Sequence, residues 1–78
     1  MSTARLYAIC TLAAAWHDGQ ASRVYRIGCR ARRLLARKGI TRPLDQVDGR
    51  DRWPAHFRKR YVQEVNRMSA AFMGPDRH

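Results

Sequence analysis

With 78 residues, 45% of them apolar, the chain is long enough for one small domain and too apolar for disorder to be the default. Sixteen basic residues against six acidic ones leave a formal net charge of +10, which points to an acidic partner: nucleic acid, an acidic protein surface or an anionic membrane. Only Lys38 and Lys59 are lysine; the rest is arginine, whose planar fork of donors suits phosphate and carboxylate.

Taken in order, the chain predicts a first helix over 3–16, capped by Ser2 or Thr3. Leu6, Ile9, Leu12, Ala13 and Trp16 share one broad face, and Tyr7, Cys10 and Ala14 lie opposite, so almost no charge follows Arg5. A helix apolar nearly all round calls for burial on more than one side. It is either the central helix of a three-helix fold, or its spare face at Leu6, Ile9, Leu12 and Ala13 forms a homodimer or docks on a partner. The apolar run from Leu6 also looks like a weak secretion signal, but the basic region before it is poor and the run is too short to span a bilayer. The expectation is an uncleaved cytoplasmic helix with no membrane span.

His17-Asp18-Gly19-Gln20 breaks that helix. Gly19 suits the left-handed closing position and His17 the negative end of the helix dipole. Ser22 then reads as the N-cap of a second helix over 22–38, which forms a hairpin with the first. Val24, Ile27, Ala31, Leu34 and Leu35 make its apolar face. Beside that face Arg23, Arg26, Arg30, Arg33 and Arg37 recur at steps of three and four, the period of one helix stripe. Tyr25, Gly28 and Arg32 fall on the far side of the apolar face. Gly28 costs about 1 kcal/mol relative to alanine inside a helix, so it marks a close approach of another backbone or a tolerated defect. Gly39 supplies the C-cap, next to Arg37 and Lys38.

Residues 40–51 read as an internal loop, pinned by Ile40 and Leu44, with Pro43 preventing helix continuation. Asp45, Asp48, Gly49 and Asp51 give D-x-x-D-G-x-D, which does not match the calcium-loop pattern. Asp51 is placed as the N-cap of a third helix over 52–73, with Pro54 in its first turn. Phe57, Tyr61, Val65, Met68 and Phe72 form its core stripe, and Glu64 is set to pair with Arg60 or Arg67. Gly74-Pro75 stops it, and 74–78 is expected to fray. The fold class is all-α: a single helical domain over 1–78, built from three helices.

Cys10 and Cys29 fit neither a disulfide framework nor a metal spacing, and are expected to be buried free thiols. His17, His56 and His78 are scattered, and no nucleophile–base pair, carboxylate pair or phosphate loop accompanies them. The sequence therefore predicts no catalysis, cofactor or metal.

The arginine stripe is the candidate site. Its plain reading is a solvated helix face. Against that, five arginines recur with no acid between them, and each like-charged pair at this spacing costs a few tenths of a kcal/mol. Arg23, Arg26, Arg30, Arg33, Arg37 and Trp16 are taken as partner-binding residues. Trp53 is either a second anchor or a staple holding the loop to the core. Phosphate contacts along the stripe would suit a nucleic-acid accessory protein, although no base-reading motif appears and the aromatics are not interleaved with the arginines. The mixed basic and apolar edge would equally suit a protein partner.

The residues Trp16-His17-x-Gly19-Gln20-x-Ser22-x-x-Tyr25 resemble a W-H-x-G-Q-x-S-x-x-Y pattern of small bacteriophage and prophage proteins. The resemblance carries no biochemical role. It implies a phage-like origin, and phage proteins of this size often bind and inhibit a host complex such as a defence system, a transcription factor or a motor ATPase. That favours protein binding, in the cytoplasm of a bacterial host, over nucleic-acid binding.

Overall fold

The computed structural model describes the backbone at 1–15 and 21–73, and the side chains at 1–15 and 23–70. It is all-α among the described residues: α1 (Thr3–Ala15), α2 (Ala21–Ala36), a short α3 (Pro43–Asp48), a 3-10 turn at Arg50–Arg52, and α4 (Ala55–Met73). The break at 17–20, the tail at 74–78 and the side chains of Trp16, Ser22 and Phe72 lie outside the described residues.

α1 is the central element. It packs against α2 on one side, α4 on another and α3 on a third. This explains a helix with no polar face: Ala4, Leu6, Tyr7, Ala8, Ile9, Cys10, Leu12 and Ala13 are all buried. Its start is fixed by Ser2, whose Oγ accepts the Arg5 backbone N–H at 3.2 Å and satisfies one of the open donors of the first turn. Thr3 has a different role, accepting a 2.8 Å hydrogen bond from Lys38 Nζ.

Of the two sequence readings of α1, the central helix holds and the spare face does not. Leu6, Ile9, Leu12 and Ala13 are between 1% and 8% exposed within the single chain. They therefore offer no exposed dimer face, because α2, α3 and α4 together cover a helix whose apolar circumference alone leaves its partners open.

α2 begins at Ala21, so Ser22 lies inside the helix and not at its cap. Its other end follows the sequence closely. Gly39 has a φ of 86°, its N–H bonds to the Ala36 carbonyl at 2.9 Å, and Ile40 N–H reaches back to the Leu35 carbonyl at 3.0 Å. This pair of bonds is the Schellman closure, in which a left-handed glycine turns the chain away and the next apolar residue packs back onto the helix. Ile40 does pack against the core that contains Leu35.

The segment 40–51 is more ordered than a loop. Pro43 starts a helix here: it occupies the first turn, where a missing N–H costs nothing. Pro43 and Val47 are buried, and Leu44 packs on the core beside them. Gly49 N–H closes the helix onto the Asp45 carbonyl at 3.1 Å. The count is thus four α-helices and a 3-10 turn among the described residues, where the sequence suggested three helices.

α4 starts three residues later than expected. Trp53 is extended, with φ −69° and ψ 151°, because the proline ring that follows it disfavours helical geometry in the preceding residue. The Pro54 carbonyl then accepts from Phe57 and Arg58, both at 3.0 Å. Asp51 consequently sits in the 3-10 turn and not at a helix cap.

Trp53 packs its indole 4.9 Å from the Tyr7 ring, 4.9 Å from Phe57 and 5.5 Å from Tyr61, the last two edge to face. Such pairs add roughly 0.5–1.5 kcal/mol beyond the area they bury. Trp53 is therefore the staple that joins the 3-10 turn, α1 and α4. Tyr61 also hydrogen-bonds Thr11 Oγ1 at 2.9 Å. Thr11 directs its hydroxyl to the Tyr7 carbonyl at 3.0 Å, so its single proton is used and Tyr61 is the donor between them.

Candidate functional site

α2 presents two features side by side: a basic face and a groove shared with α1. The basic face follows from how the helix is rolled. Its buried residues are Val24, Gly28, Ala31 and Leu35, whereas Ile27 is 38% exposed and Leu34 is half-buried. At about 100° per residue, the core direction is turned by roughly 40° from the one the apolar residues alone suggest.

The cause is Gly28. A Cβ built on it would stand 2.8 Å from Ala13 Cβ, closer than carbon atoms tolerate. The Gly28 backbone therefore packs directly against the Ala13 methyl at this point. Of the two sequence readings of Gly28, the close approach holds and the tolerated defect does not, although the residue sits at the α1–α2 contact and not on the far side of the apolar face. Rolling α2 toward it moves Ile27 and Leu34 outward, beside the arginines.

Arg23, Arg26, Arg30, Arg33 and Arg37 are all exposed. Arg26 and Arg33 lie nearly diametrically opposite the buried face, at about 170–190° from its centre. From Arg23 to Arg37 the stripe runs about 21 Å along the axis. Among the described residues the ion pairs involve Arg5, Arg42 and Arg60, and none involves a stripe arginine. Trp16, assigned to the same site from the sequence, lies outside the described residues.

The groove lies on the other flank of the stripe. It has a volume of about 500 Å³ and is lined by Cys10, Ala13 and Ala14 of α1 and by Tyr25, Gly28, Cys29 and Arg32 of α2. Its origin is local. Gly28 has no side chain and Cys29 a short one, about one turn from the long side chains of Tyr25 and Arg32, and Gly28 faces Ala13 of α1. Cys10 is buried and Cys29 half-buried, and both are free thiols. The expectation that both would be buried thus holds for Cys10 alone. Burial pushes the Cys10 thiol above its ordinary 9.0, and the nearby Arg32 guanidinium partly offsets this. Tyr25 is 65% exposed.

The sequence pairs Glu64 with arginine but does not foresee its burial. Glu64 of α4 is 5% exposed. Its carboxylate lies 3.9 Å from Arg5 Nε and 3.6 Å from Arg60 Nε, and Oε1 has no hydrogen-bond partner. The expected pairing with Arg60 is present, and the second cation is Arg5 of α1 in place of Arg67. The signal was available: Tyr61, Glu64 and Met68 share the three-and-four spacing of the core stripe, which places the acid on the buried face.

No helix among the described residues is long and apolar enough to cross a membrane. No protein-family model, curated protein or solved structure matches the chain.

Proposed function

We propose that the chain is a non-catalytic binding protein of phage type that docks on an acidic surface of a host protein complex and inhibits or modulates it. The observation that carries this reading is the α2 stripe: five exposed arginines on the outward face, with no acid paired to them among the described residues. Like charges held this close repel, and an acidic partner would relieve that repulsion with charge-assisted hydrogen bonds. The phage-like pattern through Trp16 and Tyr25 supports a host target such as a defence system, a transcription factor or a motor ATPase, met in the bacterial cytoplasm.

Nucleic acid is the rival partner, since phosphates would satisfy the same guanidinium groups. The exposed Ile27 and half-buried Leu34 beside the stripe favour protein, because apolar side chains flanking arginine match a protein interface better than a phosphate backbone. Two measurements separate the partners. Gel shifts on duplex and single-stranded DNA are expected to show at most weak, sequence-independent binding that salt removes. Capture from nuclease-treated bacterial lysate is expected to retain a protein that salt elutes. Tight, specific DNA binding together with an empty nuclease-treated capture would overturn the protein reading.

A further inference from the structure

Beyond its charge, the basic face has a recess at its edge. We infer that the α1–α2 groove is the anchor pocket of the interface, and that it receives one apolar, preferably aromatic, side chain from an acidic segment of the partner. This rests on the proposed binding role of the stripe and names the kind of segment that binds it.

Three observations converge. The groove measures about 500 Å³, within the range of sites that enclose a small ligand or side chain. Tyr25 and Arg32 stand about 10 Å apart along the helix axis, with Gly28 and Cys29 forming a notch between them. That spacing admits one ring. Tyr25 is also an exposed aromatic beside arginines, the residue combination most often found at the energetic centre of protein interfaces.

Charge settles what the anchor must be attached to. On the helix circumference the order runs Arg32 and Tyr25, then Cys29, then Arg33 and Arg26. A side chain seated over Cys29 therefore has arginines on both sides. A basic segment would be repelled by those guanidinium groups and a neutral one would leave them unpaired, whereas carboxylates flanking the anchor would reach Arg32 on one side and Arg26 or Arg33 on the other. The occupant is an acidic peptide segment with an apolar anchor.

Cys29 gives this proposal a direct reporter. Cys29 is half-buried and Cys10 buried, and both line the groove, so Cys29 is the more accessible thiol and the one that occupancy of the groove would shield. The probes are a short glutamate-rich helical peptide with one central tryptophan and the same peptide with alanine in its place. Binding of the tryptophan peptide is expected to be about tenfold tighter, as burial of one aromatic side chain implies, and to slow Cys29 alkylation where the alanine peptide does not. Ala14→Trp fills the groove from an exposed position on α1. It should reduce the preference for tryptophan to below about twofold and leave the alanine peptide's affinity unchanged. Tyr25→Ala removes an exposed wall of the groove and should weaken the preference in the same way. Circular dichroism confirms that both variants remain helical. Equal affinity for the two peptides, or an undiminished preference in both variants, overturns the anchor pocket while the basic face stands. Failure of both peptides to bind even at low salt overturns the acidic-partner reading and the pocket together.

Discussion

Replacing Gly28 by alanine isolates the contact that orients α2. Two effects oppose each other. Alanine inside a helix is favoured over glycine by about 1 kcal/mol, which would stabilise the protein if the glycine were a mere defect. The added Cβ, however, would lie 2.8 Å from Ala13 Cβ, against an optimum of about 3.5–4.0 Å. The helices would have to part by roughly 1 Å, and overpacking of this kind costs about 1–3 kcal/mol. Gly28→Ala should therefore destabilise the protein by about 1 kcal/mol once the propensity gain is subtracted. Ala13→Gly removes the opposing methyl, so in that background the same substitution should stabilise by about 1 kcal/mol. Urea unfolding followed by circular dichroism, with unchanged m-values, gives the four free energies of the cycle. A coupling of about 2 kcal/mol between the two sites is expected. Stabilisation by Gly28→Ala in the wild-type background, with no coupling to Ala13, would refute the close approach and with it the explanation of how the helix is rolled.

Three further substitutions test the core. Tyr61→Phe removes the donor to Thr11 and should cost about 0.5–1.5 kcal/mol by urea unfolding; no loss would mean that the 2.9 Å contact contributes nothing net. Glu64→Met replaces a buried carboxylate that lacks a hydrogen bond at Oε1, and should be neutral or stabilising by about 1 kcal/mol; a loss of more than about 3 kcal/mol would show that Arg5 and Arg60 more than offset its burial. Alkali should unfold the protein through two groups. Burial raises the Tyr7 hydroxyl above 10.0, with Cys10 adding to the effect, and burial raises the Cys10 thiol above 9.0. Both ionise more readily in the unfolded chain, so their contribution is full below these values and is lost as pH rises through the folded ones. Cys10→Ala should flatten the decline that begins near pH 9, leaving the later one due to Tyr7; an unchanged onset would exclude the thiol as its source.

The parts of the fold that the sequence displays are those decided by single residues. Gly39 ends α2 because only a left-handed residue completes the Schellman bonds, and Phe57, Tyr61, Val65 and Met68 face the core at the spacing their pattern implies. Where local signals have two meanings, the tertiary context chooses. Pro43 reads as a helix stop or as a first-turn residue, and the burial of Pro43 and Val47 selects the second. Pro54 is tolerated in a first turn, yet its effect on Trp53 delays α4. The apolar circumference of α1 is readable, but its coverage by α2, α4 and α3 is not, and the loop-like composition of 40–51 conceals the last of these. The arginine stripe is visible as a spacing. The groove beside it is not, because it arises from the juxtaposition of Ala13 and Ala14 with Gly28 and Cys29, residues far apart in the chain.

Charge reversal on the stripe bears on the proposed role without touching the core. Arg26, Arg30 and Arg33 are exposed, so Arg26→Glu, Arg30→Glu and Arg33→Glu combined should leave helicity and unfolding midpoint near wild type. In side-by-side capture from nuclease-treated bacterial lysate, the wild-type protein should retain a salt-eluted acidic protein and the triple variant should lose at least about nine-tenths of it, as an abolished electrostatic interface implies. Capture of the same protein in the same amount by both would contradict the assignment of the arginine face as the binding surface.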